Sequence, residues 1–220
     1  MSDQPNAPMD DDPDTSESLG SAAPEPARKR PKPGERRIQI LQALATMLEH
    51  PAGERITTAA LAARLDVSEA ALYRHFASKA QMFEGLIEFV EQAVFTLANQ
   101  IVEREAGSGE RQCARIIGML MQFAEKNPGM ARVMVGDALV FENERLQQRM
   151  NQFFDKIEAT LKQCLRDGAA PGAQTPTAQA QVQAAVLTAF AMGRLQRFVR
   201  AGFKRQPSEQ LDAALATILG

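Results

Sequence analysis

The chain has no tryptophan, one tyrosine, two cysteines and two histidines. Cys113 and Cys164 are far apart in otherwise helical patterns, which leaves no disulfide framework or zinc knuckle; free core thiols are expected. His50 precedes Pro51 and His75 follows Arg74, and neither belongs to an HExxH pair. CxxC motifs, glycine-rich phosphate loops and nucleophile elbows are also missing, so neither catalysis nor a metal or cofactor is expected. Glu142 and Glu144, like Asp10 to Asp12, read as solvated surface acids. No apolar run approaches the roughly 20 residues of a membrane helix. Met1 to Asp14 is acidic and has no basic region followed by an apolar one, so neither a secretory signal nor a membrane anchor is expected and the reading is cytoplasmic.

What is present is 220 residues, 45% of them apolar, enough for one or two soluble domains with a sizeable core. Charge is nearly balanced overall but uneven along the chain. Residues 1 to 27 hold seven acids and no lysine or arginine, residues 28 to 79 ten cations against five acids, and the remainder equal numbers. A basic stretch after an acidic tail suits either a nucleic-acid contact or a solvated linker. Residues 1 to 34 have almost no large apolar side chains, and disorder is expected there. The Arg28 to Lys32 arm would add nonspecific DNA affinity, partly shielded by the acids before it.

From Arg36 onward only helical periodicity is legible. Ile38, Leu41, Ala45 and Leu48 mark one face of a first helix ended by Pro51 and Gly53, and residues 56 to 76 read as two short helices. A long helix follows from Ser78 to about Arg104, and a fifth from Glu110 to Lys126. Asn127 then caps a sixth with Pro128 at its first position. A seventh is expected over Val140 to Arg166, an eighth, buried all round, over Thr177 to Phe203, and a ninth opened by Pro207 and Ser208.

The chemistry is concentrated in residues 56 to 79. Thr57 and Ser68 can each cap a helix, with Ile56 stapled to Leu61 and Val67 to Leu72. Asp66 tolerates the left-handed turn between them. This is the helix-turn-helix plan, whose second helix enters the major groove. Its exposed face would carry Ser68, Glu69, Ala70, Tyr73, Arg74 and His75, with Lys79 beyond and Thr57 and Thr58 adding phosphate contacts from the preceding helix. The plainer alternative makes Thr57 and Ser68 caps only and Tyr73 a core aromatic.

The segment T-T-x-x-L-A-x-x-x-x-V-S-E-A-A-L-Y-R-H-F-x-S-K, Thr57 to Lys79, resembles the DNA-binding domain of TetR-family regulators, with Asp66 in place of the usual turn glycine. The resemblance implies an all-α homodimer: a three-helix DNA-binding domain over 35–80 and a helical dimerisation and partner-binding domain over 81–220. Further stretches are similar to the nucleoid occlusion factors of that family: Met82-Phe83, Leu86 to Phe89, Asn127 to Gly129, Gly136 to Glu142, Arg145 to Gln147 and Arg197 to Lys204. That similarity implies a nucleoid-associated protein that binds double-stranded DNA and antagonises assembly of the division protein FtsZ. The acidic extension falls outside the pattern.

A TetR-type repressor released by a small ligand is the rival, with Met119, Met121, Phe123, Met134, Phe141, Phe153 and Phe154 either lining a pocket or filling a core. The small residues Ala184, Ala185, Ala189 and Gly193 suit close packing across a dimer. Met82 and Phe89 fall to one flank of the long helix's apolar stripe, where they either pack on the first helix or join an exposed patch. Met119, Lys126 and Asn127 would extend such a patch toward an acidic partner.

Overall fold

The computed structural model describes residues 34–50, 56–105, 107–169 and 176–220. These form helices α1 (Glu35–Leu48), α2 (Thr58–Arg64), α3 (Glu69–Tyr73), α4 (Lys79–Arg104), α5 (Gly109–Lys126), α6 (Pro128–Met134), α7 (Glu144–Asp167), α8 (Pro176–Arg200) and α9 (Leu211–Leu219). A 3-10 turn at Asp137–Leu139 precedes α7. No strand occurs among the described residues, and no helix there is long and apolar enough to cross a membrane. The tail assigned to residues 1 to 34, Gly34 excepted, lies outside the described residues, as do the Arg28 to Lys32 arm and the stop at Pro51 and Gly53.

The local signals that start the N-terminal helices act as the sequence implies. Thr57 accepts from the Ala60 amide at 3.1 Å, Ser68 from Ala71 at 3.3 Å and Ser78 from Gln81 at 3.2 Å. Asp66 takes the left-handed conformation at φ 54°. Leu61, Ala62, Leu72 and Phe76 are buried, closing α2 on α3 and on α1, with Phe76 reaching Gly85 of α4.

Helix α1 is apolar on two sides, a departure from the single stripe expected. Ile40, Leu44 and Leu48 enter the core, whereas Ile38 is 57% exposed and Leu41 and Ala45 are half-buried. Helix α4 passes from the N-terminal three-helix unit into the body. At Gly85 an added Cβ would meet Leu41 at 3.1 Å, so the missing side chain lets α1 seat on α4. Arg132 of α6 donates to the carbonyls of Leu48 and His50, each at 3.2 Å, tying the end of α1 to the body.

Four boundaries differ from expectation, the first being the end of α8, which stops at Arg200 rather than Phe203 because Gly202 and Phe203 turn left-handed at φ 58° and 66°. Asn127 makes no side-chain cap for α6; its Nδ2 donates back to the Phe123 carbonyl at 2.8 Å and so closes α5. Helix α7 begins at Glu144, because Gly136 in the left-handed region starts the 3-10 turn and Asn143 supplies the cap. Helix α9 begins at Leu211, because Ser208 is drawn to Glu125 of α5 and Arg194 holds the carbonyls of Pro207 and Glu209.

Nor is α8 buried all round in one protomer. Ala184, Leu187, Ala191, Leu195 and Phe198 face the core, while Val182, Val186 and Met192 stand exposed.

Candidate nucleic-acid interface

Most of the side chains expected to meet DNA are exposed around α2 and α3. Thr57, Ser68, Glu69, Ala70, Tyr73, Arg74 and His75 are exposed, and Thr58 is half-buried. Tyr73, at 46% exposure, is no core aromatic. Thr57 and Ser68 use their oxygens as acceptors in capping, which leaves their hydroxyl protons available to an outside acceptor. Thr58 Oγ1 donates to Glu69 Oε2 at 2.5 Å, which holds the carboxylate to α2.

Lys79, expected just beyond that face, is engaged by the body of the protein. Its ammonium pairs with Glu142 and lies 5.6 Å from the centre of the Phe83 ring, with its side chain 19% exposed. Glu142 is likewise no solvated acid, being only 10% exposed. The contact joins residues 63 apart, beyond the reach of local periodicity. Sequence reasoning also missed Arg37, whose Nη1 donates to the His75 carbonyl at 3.0 Å and whose guanidinium covers Phe76 at 4.1 Å. It fixes the end of α3 against α1.

Two further ion pairs fasten α4 to α7. Arg145 meets Glu84 at 2.6 Å, and Arg149 meets Glu91 at 2.6 Å. The hydrogen bonds that Arg149 donates to the Glu91 carboxylate raise its pKa above the ordinary value.

On the adjoining side, α1, α4 and the α5–α6 corner enclose a groove of about 350 Å³ lined by Ile38, Leu41, Leu86, Phe89, Asn127 and Met130. Phe89 is 49% exposed and its ring centre lies 6.5 Å from that of Phe123. Met119 is half-buried one turn before Phe123, and Lys126 is exposed one turn after it. Met82 is fully buried and separates from Phe89, because the flank it shares with Phe89 meets the core near the start of α4.

The Met and Phe set weighed as a ligand pocket does not gather round one space. Met121, Phe123, Met134, Phe153 and Phe154 are buried in the core, with Phe153 edge-on to Phe95 and Phe154, whereas Phe141 is 73% exposed. The four small residues of α8 also divide. Ala185, Ala189 and Gly193 are exposed, but Ala184 is fully buried in its own protomer and is unavailable to a partner.

Residues 40–86 match the bacterial regulatory proteins of the tetR family, and residues 111–218 match the tetracyclin repressor-like C-terminal domain. The nucleoid occlusion factor SlmA of Idiomarina loihiensis is 52% identical over 178 residues, 81% of this chain and 90% of that protein. The chain belongs to the SlmA family of nucleoid occlusion factors. SlmA of Vibrio vulnificus is 50% identical over 182 residues, 82% of this chain and 92% of its own length. The SlmA-family chain also shares its fold with solved structures of low identity. The transcriptional regulator FadR from Bacillus subtilis, in complex with stearoyl-CoA, has TM-score 0.64 at 14% identity, covering 83% of this chain and 97% of that one. The TetR family regulator PfmR from Thermus thermophilus has TM-score 0.63 at 18% identity, covering 83% and 95%.

Proposed function

We propose that this nucleoid occlusion factor acts as a homodimer that grips double-stranded DNA through α3 and its flanking residues and antagonises FtsZ assembly from the adjoining surface on α4 and α5. Its place of action is the cytoplasm, on the nucleoid, and it performs no catalysis. Lys79, Thr57, Ser68, Tyr73 and Arg74 serve phosphates and base edges, with Lys79 exchanging Glu142 for a phosphate oxygen as the DNA closes in. Phe89, Met119, Lys126 and Asn127 serve FtsZ.

The observation that supports the reading is that Lys79 and Phe89 lie on one helix. Lys79 opens α4 and Phe89 lies ten residues further on, about 15 Å along the axis at the helical rise. A protein seated on Phe89 is therefore held beside the DNA. The apolar groove beyond Phe89 suits aliphatic or aromatic side chains of an extended segment, and Lys126 at its margin favours acidic neighbours.

Exposed Val182, Val186, Ala189 and Met192 give α8 an unpartnered apolar face that a second copy would cover.

Selecting bound fragments from genomic DNA tests the reading. Sites spread across the chromosome, mostly outside promoters, are the expected result; one or two promoter sites beside the gene would return the chain to ligand-released repression.

A further inference from the structure

The last turns of α8 and the segment leading into α9 enclose a hollow of about 340 Å³ with almost wholly polar walls, to which Arg194, Arg197, Arg205, Glu209 and Gln210 contribute. It shares no residue with the groove beside Phe89 or with the proposed DNA face. Arg197 and Arg205 are exposed, and among the described residues neither side chain forms an ion pair or hydrogen bond. Arg194 is half-buried and held in place. Its Nη1 donates to the Pro207 carbonyl at 3.1 Å and to the Glu209 carbonyl, and its guanidinium lies 4.8 Å from the centre of the Phe190 ring. Nε and Nη2 are left with three N–H donors on a group that keeps its charge. Gln210 is left-handed at φ 52° and gives α9 no side-chain cap, so the positive end of that helix begins at the same wall, with Asp212 in its first turn.

We propose that this hollow binds a small, soluble, phosphate-bearing anion. Three arginines against Glu209 leave two positive charges unmatched in the wall, the charge of a phosphate dianion. Guanidinium forks match phosphate oxygens in geometry as well as in sign, and Arg194 is oriented before any ligand arrives. Ligand pockets run from about 300 to 1,000 Å³, so this one suits a small phosphorylated molecule rather than a polymer. Polar walls give no seat to an acyl chain, which favours a soluble anion over a lipid headgroup. At about 100° per residue, Arg194 and Arg197 stand about 140° and 80° round α8 from Ala189, to the side of the proposed pairing face. A bound phosphate would bridge α8, through Arg194 and Arg197, to Arg205 beyond it, and so stabilise the folded chain by mass action.

The test titrates the full-length protein with inorganic pyrophosphate by isothermal calorimetry at fixed ionic strength, with thermal melts alongside. One saturable site per protomer is expected, with a midpoint that rises with pyrophosphate. Arg197→Gln combined with Arg205→Gln should weaken binding roughly tenfold or more, through two lost charged hydrogen-bond donors, and should melt with the wild type when no anion is present. Arg111→Gln combined with Arg115→Gln, two exposed arginines elsewhere, should bind pyrophosphate as the wild type does. Absence of saturable binding by the wild type, or equal loss in the two double variants, would overturn the site. Phosphatidylglycerol vesicles captured through Arg197 and Arg205 while pyrophosphate fails to bind would also overturn it, by making the ligand a lipid headgroup.

Discussion

Lys79 and Glu142 pair across the junction between the DNA-binding domain and the helical body. Arg145 with Glu84 and Arg149 with Glu91 continue the seam along α4 and α7. A cation at the edge of the proposed DNA face is thus held by a carboxylate from the body, and the two parts of the fold share the energetics of one charge pair.

Glu142→Gln leaves Lys79 without its counter-ion in a partly enclosed position. Loss of the charged hydrogen bond should cost about 1.5–3 kcal/mol of stability, read as a lower midpoint in thermal melts. The same change removes a negative charge beside incoming phosphates, so DNA affinity measured at low salt should rise. A variant that melts with the wild type and binds DNA identically would show the pair to be idle.

Thr57→Ala and Tyr73→Ala remove one hydroxyl each from the DNA face. A hydrogen bond to a charged group is worth about 1.5–3 kcal/mol, so affinity should fall about tenfold or more for each. Because neither residue is charged, the salt dependence should stay as it was, whereas Arg74→Ala should reduce the slope by about one counter-ion. Fluorescence anisotropy across a salt series separates these outcomes. Thr57→Ala should also lose about 1 kcal/mol of stability through its cap.

Ala184 and Ala189 lie on different sides of α8, one in the protomer core and the other exposed. Ala189→Arg should therefore yield a folded monomer in sedimentation velocity, since the arginine disrupts only the pairing face. Ala184→Arg should instead lose helical signal and solubility, because it buries an unpaired charge inside the protomer. A dimeric Ala189→Arg would place the interface elsewhere.

Much of this arrangement was legible because its signals are local. Thr57, Ser68 and Ser78 cap helices within three residues of themselves, and Asp66 marks its own turn. What escaped depends on contacts far along the chain. Helix α1 reads as one stripe, yet Ile38 turns to a groove and Ile40 to the core, because a helix wedged between two neighbours is apolar on both sides. Small residues on adjacent faces of α8 look alike in sequence, and only burial in the folded protomer separates Ala184 from Ala185. Glu142 and Arg37 gave no local sign, since their partners lie 63 and 38 residues away.

The coupling of DNA to FtsZ is tested most directly with the Phe89→Ala, Lys126→Asp double variant. Phe89 is half exposed and Lys126 exposed, so the changes leave the core and the DNA face intact. DNA affinity is measured by anisotropy and FtsZ assembly by light scattering in the presence of bound DNA. Wild-type protein on DNA should suppress the scattering signal, and the double variant should bind DNA with wild-type affinity while leaving FtsZ assembly nearly unaffected. Full suppression by the double variant would exclude this surface, and no suppression by the wild type would contradict antagonism of FtsZ altogether.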